Sequence, residues 1–266
     1  MSFRVLNGTH QQRLLYTNKK LYPKMIAKEA HHLFEVDFFS SHFVSYEKLQ
    51  YARWLGFTSS LVALIEFYRL PSSEKFPNHV YFTAWGTFIS VIYFSLVCFL
   101  TKFYKKGETH VEKITRLERL THIVYQVAVG IEFVVCIIYW VLLVPTLSKS
   151  LERFPEYWWG MLLNSLSTHL IIPIHIWTEA IFNRVCFTKK DALVFIPLIG
   201  VMYTTLNFCW FKQYGKPIYP PLDWKTSRTP MFLGSAFALV GLGCYLGYLI
   251  WLVKAKKANT TKAKMN

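Results

Sequence analysis

The sequence predicts an all-α integral membrane protein, a bundle of six transmembrane helices with both termini in the cytosol. Three observations carry that prediction. The 266 residues are 53% hydrophobic and 18% aromatic, with a mean hydropathy of +0.26, a composition too apolar for an ordinary soluble domain of this length. Apolar windows of about twenty residues, each long enough to cross a hydrocarbon core of about 30 Å, recur six times along the chain. The 30 Lys and Arg, which give a formal net charge of +15, fall between these windows and not on one compact basic surface, which argues against nucleic-acid binding. Threading six spans places 22 of those basic residues on the side that holds both termini and 8 on the other. The side richer in Lys and Arg is the cytosolic one.

Residues 1–50 precede the first window. They mix Phe, Tyr and Leu with Lys and His, as in "LYPKMIAKEAHHLFEVDFFSSHFVSY", which suits a helix lying in the cytosolic interface. They lack the uninterrupted apolar core of a cleavable signal peptide, so the first span is expected to act as the targeting signal. His31 and His32 have no second pair at a ligand spacing and read as interfacial residues, not metal ligands. The spans then follow at 51–70, around "WLGFTSSLVALIEFY", at 80–103, through "FISVIYFSLVCFL", and at 121–144, 162–183, 192–211 and 231–253. Aromatic groups in "EYWWG" at 156–160 and "YWVLLVP" at 139–145 mark membrane edges. The organisation is thus a cytosolic or interfacial segment 1–50, a transmembrane domain 51–253 and a basic tail 254–266. The five cysteines have no paired spacing and read as reduced packing residues.

An ionisable group inside a span costs several kcal/mol, so it faces the bundle interior and finds a partner there. Glu66 reaches Arg69 three residues on, which makes an interfacial ion pair. Glu132 stands mid-span with no local partner and reads as an interior hydrogen-bond acceptor. His175 and Glu179, four apart, share one helical face and read as a satisfied pair near the cytosolic edge or as a carboxylate that fixes an imidazole. His169 lies mid-membrane beside Thr168 and one turn after Ser165. A neutral imidazole there would serve as a general base toward a hydroxyl on another helix. Depth arithmetic admits Thr58 as that hydroxyl. At 1.5 Å per residue Thr58 lies about 12 Å below the cytosolic face, and His169, about 18 Å from the opposite face, comes to the same level.

The sequence ends in "KAKKANTTKAKMN", with Lys262 and Lys264 fifth and third counted from the end. On a cytosolic tail this K-x-K-x-x ending resembles the dilysine signal by which coat proteins return membrane proteins to the endoplasmic reticulum, an address and not an anchor. The alternative is a basic tail drawn to anionic lipid. The sequons at Asn7 and Asn259 would face the cytosol and stay unglycosylated.

Four stretches together carry a family resemblance: "RWLGFTSS" at 53–60, "FVVCIIYWVLLVP" at 133–145, "LLNSLSTHLIIP" with Glu179 following, and "MYTTLNFCWFKQYGKPIYPPLDW" at 202–224. In order and spacing they resemble the androgen-induced protein family, with the rolling-stone proteins as more distant relatives, over most of 51–251. The resemblance implies a multipass membrane protein that hydrolyses lipid esters such as fatty acid esters of hydroxy fatty acids, using a membrane-embedded threonine and a histidine. The family threonine follows a tryptophan by four residues, as Thr58 follows Trp54. The family histidine stands four after an asparagine, five before a proline and ten before a glutamate. Asn164, Pro173 and Glu179 are present here. His169 keeps the ten-residue spacing to Glu179 but stands five after Asn164 and four before Pro173, the asparagine and proline register falling on Thr168. Such a slip turns a helical side chain by about 100°. Pro173 frees a backbone carbonyl and permits a local irregularity that would turn it back.

The function expected on these grounds is a membrane-embedded hydrolase of the endoplasmic reticulum acting on a lipid ester drawn laterally from the bilayer. Thr58 would be the nucleophile, His169 the base, and Asn164, His175 and Glu179 their support. The chemistry calls for no metal and no cofactor. The other reading is a non-enzymatic lipid-binding, transport or scaffold protein in which Thr58 and His169 only tie helices together.

Overall fold

The computed structural model describes residues 37–41, 43–69, 78–103, 111–145, 158–185 and 187–265, all within one unit, Asp37–Asn266. The expected interfacial helix falls largely on residues 1–36, outside the described residues. What is seen of the 1–50 segment differs from that expectation. Asp37–Ser41 is a short strand, β1, paired antiparallel with β2, Asn183–Arg184, and α1 already begins at Tyr46.

Helix α1 runs Tyr46–Arg69. Its buried residues, Leu49, Arg53, Gly56, Ser60 and Ala63, step by four and three and so lie on one stripe. Small residues on that stripe let α2 come close. A Cβ at Gly56 would stand 2.6 Å from the Phe94 ring. Helix α2 is Phe82–Phe103, and α3 is Val111–Ile138 continued by a wide π turn at Tyr139–Leu143. The fourth apolar stretch is α4, Trp158–Leu166, a second π turn at Ser167–Ile171, and α5, Ile172–Phe182. Helix α6 spans Lys189–Tyr214 and ends on Gly215, whose positive φ of 67° closes the helix. Helix α7, Arg228–Met265, extends through the region expected to be a separate basic tail.

Among the described residues, four helices are long and apolar enough to cross a membrane: Phe82–Lys102, Arg116–Leu143, Val194–Tyr214 and Arg228–Lys254. The first and fourth expected spans do not reach that standard. In α1 the apolar run is broken by Arg53, Thr58, Ser59, Ser60 and Glu66, and the fourth stretch is divided by its π turn into helices of 9 and 11 residues.

Helix α3 is the hub, packed against α2, α5, α6 and α7, while α1 packs on α2 and α5. Val127, Ile131, Val134 and Val135 of α3 meet Ile196 of α6 and Val240 of α7 in a buried apolar cluster. Polarity elsewhere is reversed from that of a water-soluble bundle. Phe88, Phe99, Leu163, Ile174, Leu198, Val201 and Val253 face outward, while Arg53, Gln126, Glu132, Glu179 and Lys254 are buried. That arrangement is compatible with apolar surroundings, which favour apolar groups outside and polar groups inside.

Candidate functional site

Each π turn ends one residue short of a proline, Pro145 after Val144 and Pro173 after Ile172. Proline has no N–H to return to the fourth carbonyl before it, and the helix widens where that bond is missing. In the fourth stretch the freed carbonyl is that of His169, and it accepts the indole N–H of Trp140 at 3.0 Å. The two turns also face each other through side chains. The Tyr139 and His169 rings stack with centroids 3.5 Å apart and planes 4° from parallel, and the Tyr139 hydroxyl donates to Ser165 Oγ at 2.5 Å. A π turn absorbs one residue in the helical count, the size of the offset that separates His169 from the asparagine and proline register. His169 is 8% exposed, and its Nδ1 has no hydrogen-bond partner.

The stacked pair forms one wall of a cavity of about 90 Å³ between α2, α3, α6 and α7. The remaining wall is aliphatic and aromatic apart from Thr83, Tyr203, Thr204 and Tyr219. Gly200 of α6 lets the Phe237 ring of α7 lie directly against the backbone, where a Cβ would collide with it. Most of these hydroxyls are already spent. Tyr203 donates to the Val80 carbonyl at 3.1 Å. Tyr219, on the loop between α6 and α7, accepts the Phe82 N–H at 3.1 Å and is hydrogen-bonded with Thr83 and Tyr203. Burial pushes the Tyr219 phenol up to about 12, so it stays protonated.

Thr58 does not join this site. It lies on the exposed face of α1, and its hydroxyl donates to the Trp54 carbonyl one turn back at 2.9 Å. It is not among the residues that line the cavity. The expected meeting of Thr58 with His169 fails for a helical reason: a side chain two positions before Ser60 points roughly 200° away from the buried stripe. Equal depth placed the two on one level and said nothing about facing. Asn164 Nδ2 is buried without a partner, and the Asn164 carbonyl accepts the Thr168 hydroxyl at 2.8 Å.

The expected pairing of His175 with Glu179 is also corrected. Glu179 is gripped by Arg53 of α1, whose Nη2 and Nε stand 2.6 and 3.0 Å from Oε1, and by the Tyr93 hydroxyl of α2 at 3.0 Å. His175, half-buried, is not one of its partners. Asn183 Nδ2 completes the carboxylate's shell at 3.5 Å. Beside it Lys254 of α7 donates to the Ala180 and Asn183 carbonyls, both at 2.7 Å, and so closes the carboxyl end of α5. Sequence reasoning missed Arg53, Tyr93, Asn183 and Lys254. Arg53 carried the one usable signal, since it falls seven residues before Ser60 and four after Leu49, on the small and apolar stripe of α1.

Two further polar contacts tie the bundle. Ser90 donates to Glu132 Oε1 at 2.9 Å while Oε2 has no partner. Arg119 makes a two-pronged contact with Asp191 just ahead of the apolar stretch Val194–Tyr214 of α6. Burial alone would raise the Asp191 carboxyl, but the Arg119 and Thr188 hydrogen bonds and the Arg119 charge hold it below its ordinary value. The expected Glu66–Arg69 pair is present at 3.2 Å on the surface. Among the described residues no group of three His, Cys, Asp or Glu is placed to hold a metal ion.

Comparison of the chain with protein-family models, with curated proteins and with solved structures finds no match in any of the three.

Proposed function

We propose that this chain is a multipass membrane protein of the endoplasmic reticulum that holds a lipid within its helix bundle. The observation that carries the reading is the cavity walled by the Tyr139–His169 stack: mostly apolar, set among helices whose outer faces are themselves apolar, and furnished with a buried imidazole that has an unspent nitrogen. Pockets of this make-up, mostly apolar with a few convergent polar groups, are where small ligands bind. At 10 to 15 Å³ of such volume per water-sized group, the cavity has room for roughly six to nine of them, a stretch of lipid chain with the remainder lying among the helices. Support for six spans, for cytosolic termini and for retrieval through Lys262 and Lys264 comes from the distribution of Lys and Arg and from the tail sequence.

The test is photolabelling. Purified protein in lipid nanodiscs is irradiated with a diazirine-bearing lipid, and the adducts are mapped by mass spectrometry. Adducts on 134–143, 200–204 and 232–240 are the expected result. Labelling confined to the outward faces of α2 and α6 would count against the cavity.

Hydrolysis of a lipid ester is the second reading, favoured by the unspent His169 nitrogen together with the resemblance to the androgen-induced protein family. In this form it takes its hydroxyl from the cavity wall, where Thr83 and Thr204 stand, and not from Thr58. Its test is release of fatty acid from a hydroxy-fatty-acid ester by the purified protein, with His169→Ala, Thr83→Ala and Thr204→Ala compared at equal folded amount. Activity indifferent to His169 would end this reading.

A further inference from the structure

The cavity that is proposed to hold a lipid also carries information about that lipid's head. Among the described residues its wall contains no Lys, Arg, Asp or Glu. Among the described residues the buried Arg53 and Lys254 lie elsewhere and are engaged, Arg53 by Glu179 and Lys254 by the carboxyl end of α5. A carboxylate or phosphate drawn into the cavity would lose its water and meet no opposite charge, which costs several kcal/mol. The polar atoms of the wall instead suit an uncharged partner. The Tyr139, Tyr203 and Tyr219 hydroxyls are committed to Ser165, to the Val80 carbonyl and to the Phe82 N–H. His169 is the polar side chain of the wall whose ring nitrogen is both buried and without a partner. The imidazole lines the cavity with no hydrogen bond made by its ring, and a hydroxyl or ester group of a ligand would supply it with one.

We propose that the lipid held at the Tyr139–His169 wall is electrically neutral, with a hydroxyl or ester head hydrogen-bonded to His169, and that fatty acids and phospholipids are excluded. This rests on the reading of the cavity as a lipid site and adds the discrimination between heads. The aromatic stack fixes the imidazole plane, and the Trp140 contact fixes the backbone beneath it, so the ring cannot swing out to meet a charged head at the bilayer surface.

The experiment uses the full chain in nanodiscs at pH 8 with three diazirine probes of one chain length at equal mole fraction: a fatty alcohol, a monoacylglycerol and a fatty acid. The alcohol and the glyceride are expected to label the cavity at least tenfold more than the fatty acid. His169→Leu is expected to cut neutral-probe labelling about tenfold, the worth of one hydrogen bond of about 1.4 kcal/mol. His169→Gln, which keeps a neutral donor and acceptor, is expected to restore most of it. Equal labelling by the fatty acid, or neutral labelling unchanged in His169→Leu, would overturn the assignment of the head. Should His169→Leu fail to fold, the ratio of alcohol to acid on the unaltered protein decides the matter alone. If no probe labels the cavity at all, the lipid-site reading falls and the head assignment falls with it.

Discussion

Two polar regions of the bundle are built on opposite terms. Where α1, α2, α5 and α7 meet, every oxygen of Glu179 has a donor, and the Lys254 ammonium sits on carbonyls. At the cavity His169 keeps a buried nitrogen without a partner, and so does Asn164 on the helix that leads into the same π turn. A protein interior tolerates few such atoms, so an unpartnered imidazole nitrogen at a cavity wall differs in kind from a buried carboxylate and ammonium that are both satisfied. The first region holds helices together. The second has capacity for something the chain itself does not supply.

The largest expected effect lies in the saturated region. Arg53 and Glu179 are both buried, and removing one member leaves the other as an uncompensated buried charge. Arg53→Met should destabilise the detergent-solubilised protein by about 3–5 kcal/mol. Joining it to Glu179→Met should recover most of that loss, because two apolar side chains leave no stranded charge. Thermal unfolding of the two singles and the double measures this, and a single substitution costing under about 1 kcal/mol would mean that the pair does not organise the fold.

Gly200→Val acts on the other region. The new side chain meets the Phe237 ring, and overpacking of this kind costs about 1–3 kcal/mol, less than the loss of Arg53. Its greater effect should be on ligand: lipid adducts at 134–143 should vanish while the Arg53–Glu179 end is untouched. A variant that keeps its adducts would show that the cavity is not the lipid's position.

Acid should separate a third, interfacial pair from both. The folded protein holds Asp191 below its ordinary carboxyl value, so the unfolded chain takes up the proton first as pH falls. The stability from Arg119–Asp191 is therefore complete above the ordinary value near 3.8 and is lost as pH falls through the lower, folded one. Arg119 is partly exposed, so the loss should be smaller than either effect above. Melting curves of the native protein and of Asp191→Asn between pH 6 and 3 test this: the difference between them should close with acid.

The helical class and the apolar runs of α2, α3, α6 and α7 were legible in the sequence, because an apolar window long enough to cross a bilayer needs no knowledge of neighbours. Glu66 with Arg69 was legible too, being a contact within one turn. What failed was facing between helices. The partner of Glu179 stands 126 residues away on α1, and spacing along one helix pointed to His175 instead. The stacking of Tyr139 on His169 needed two π turns in register. The prolines that cause them were visible, and Pro173 was read as a place for an irregularity, but Pro145 was not linked to it.

The smallest expected effect is the most pointed. Thr58 was chosen by its spacing from Trp54 and by its depth, yet its hydroxyl is on the outward face and bonded within its own helix. Thr58→Val keeps the shape and removes the hydroxyl at a position that touches neither the Glu179 network nor the cavity. It should change stability by no more than about 0.5 kcal/mol and leave both lipid adducts and any ester hydrolysis at the native level. Loss of hydrolysis in this variant with unchanged folding would reverse the placement, because it would require α1 to turn its lipid-facing side toward His169 when substrate is bound.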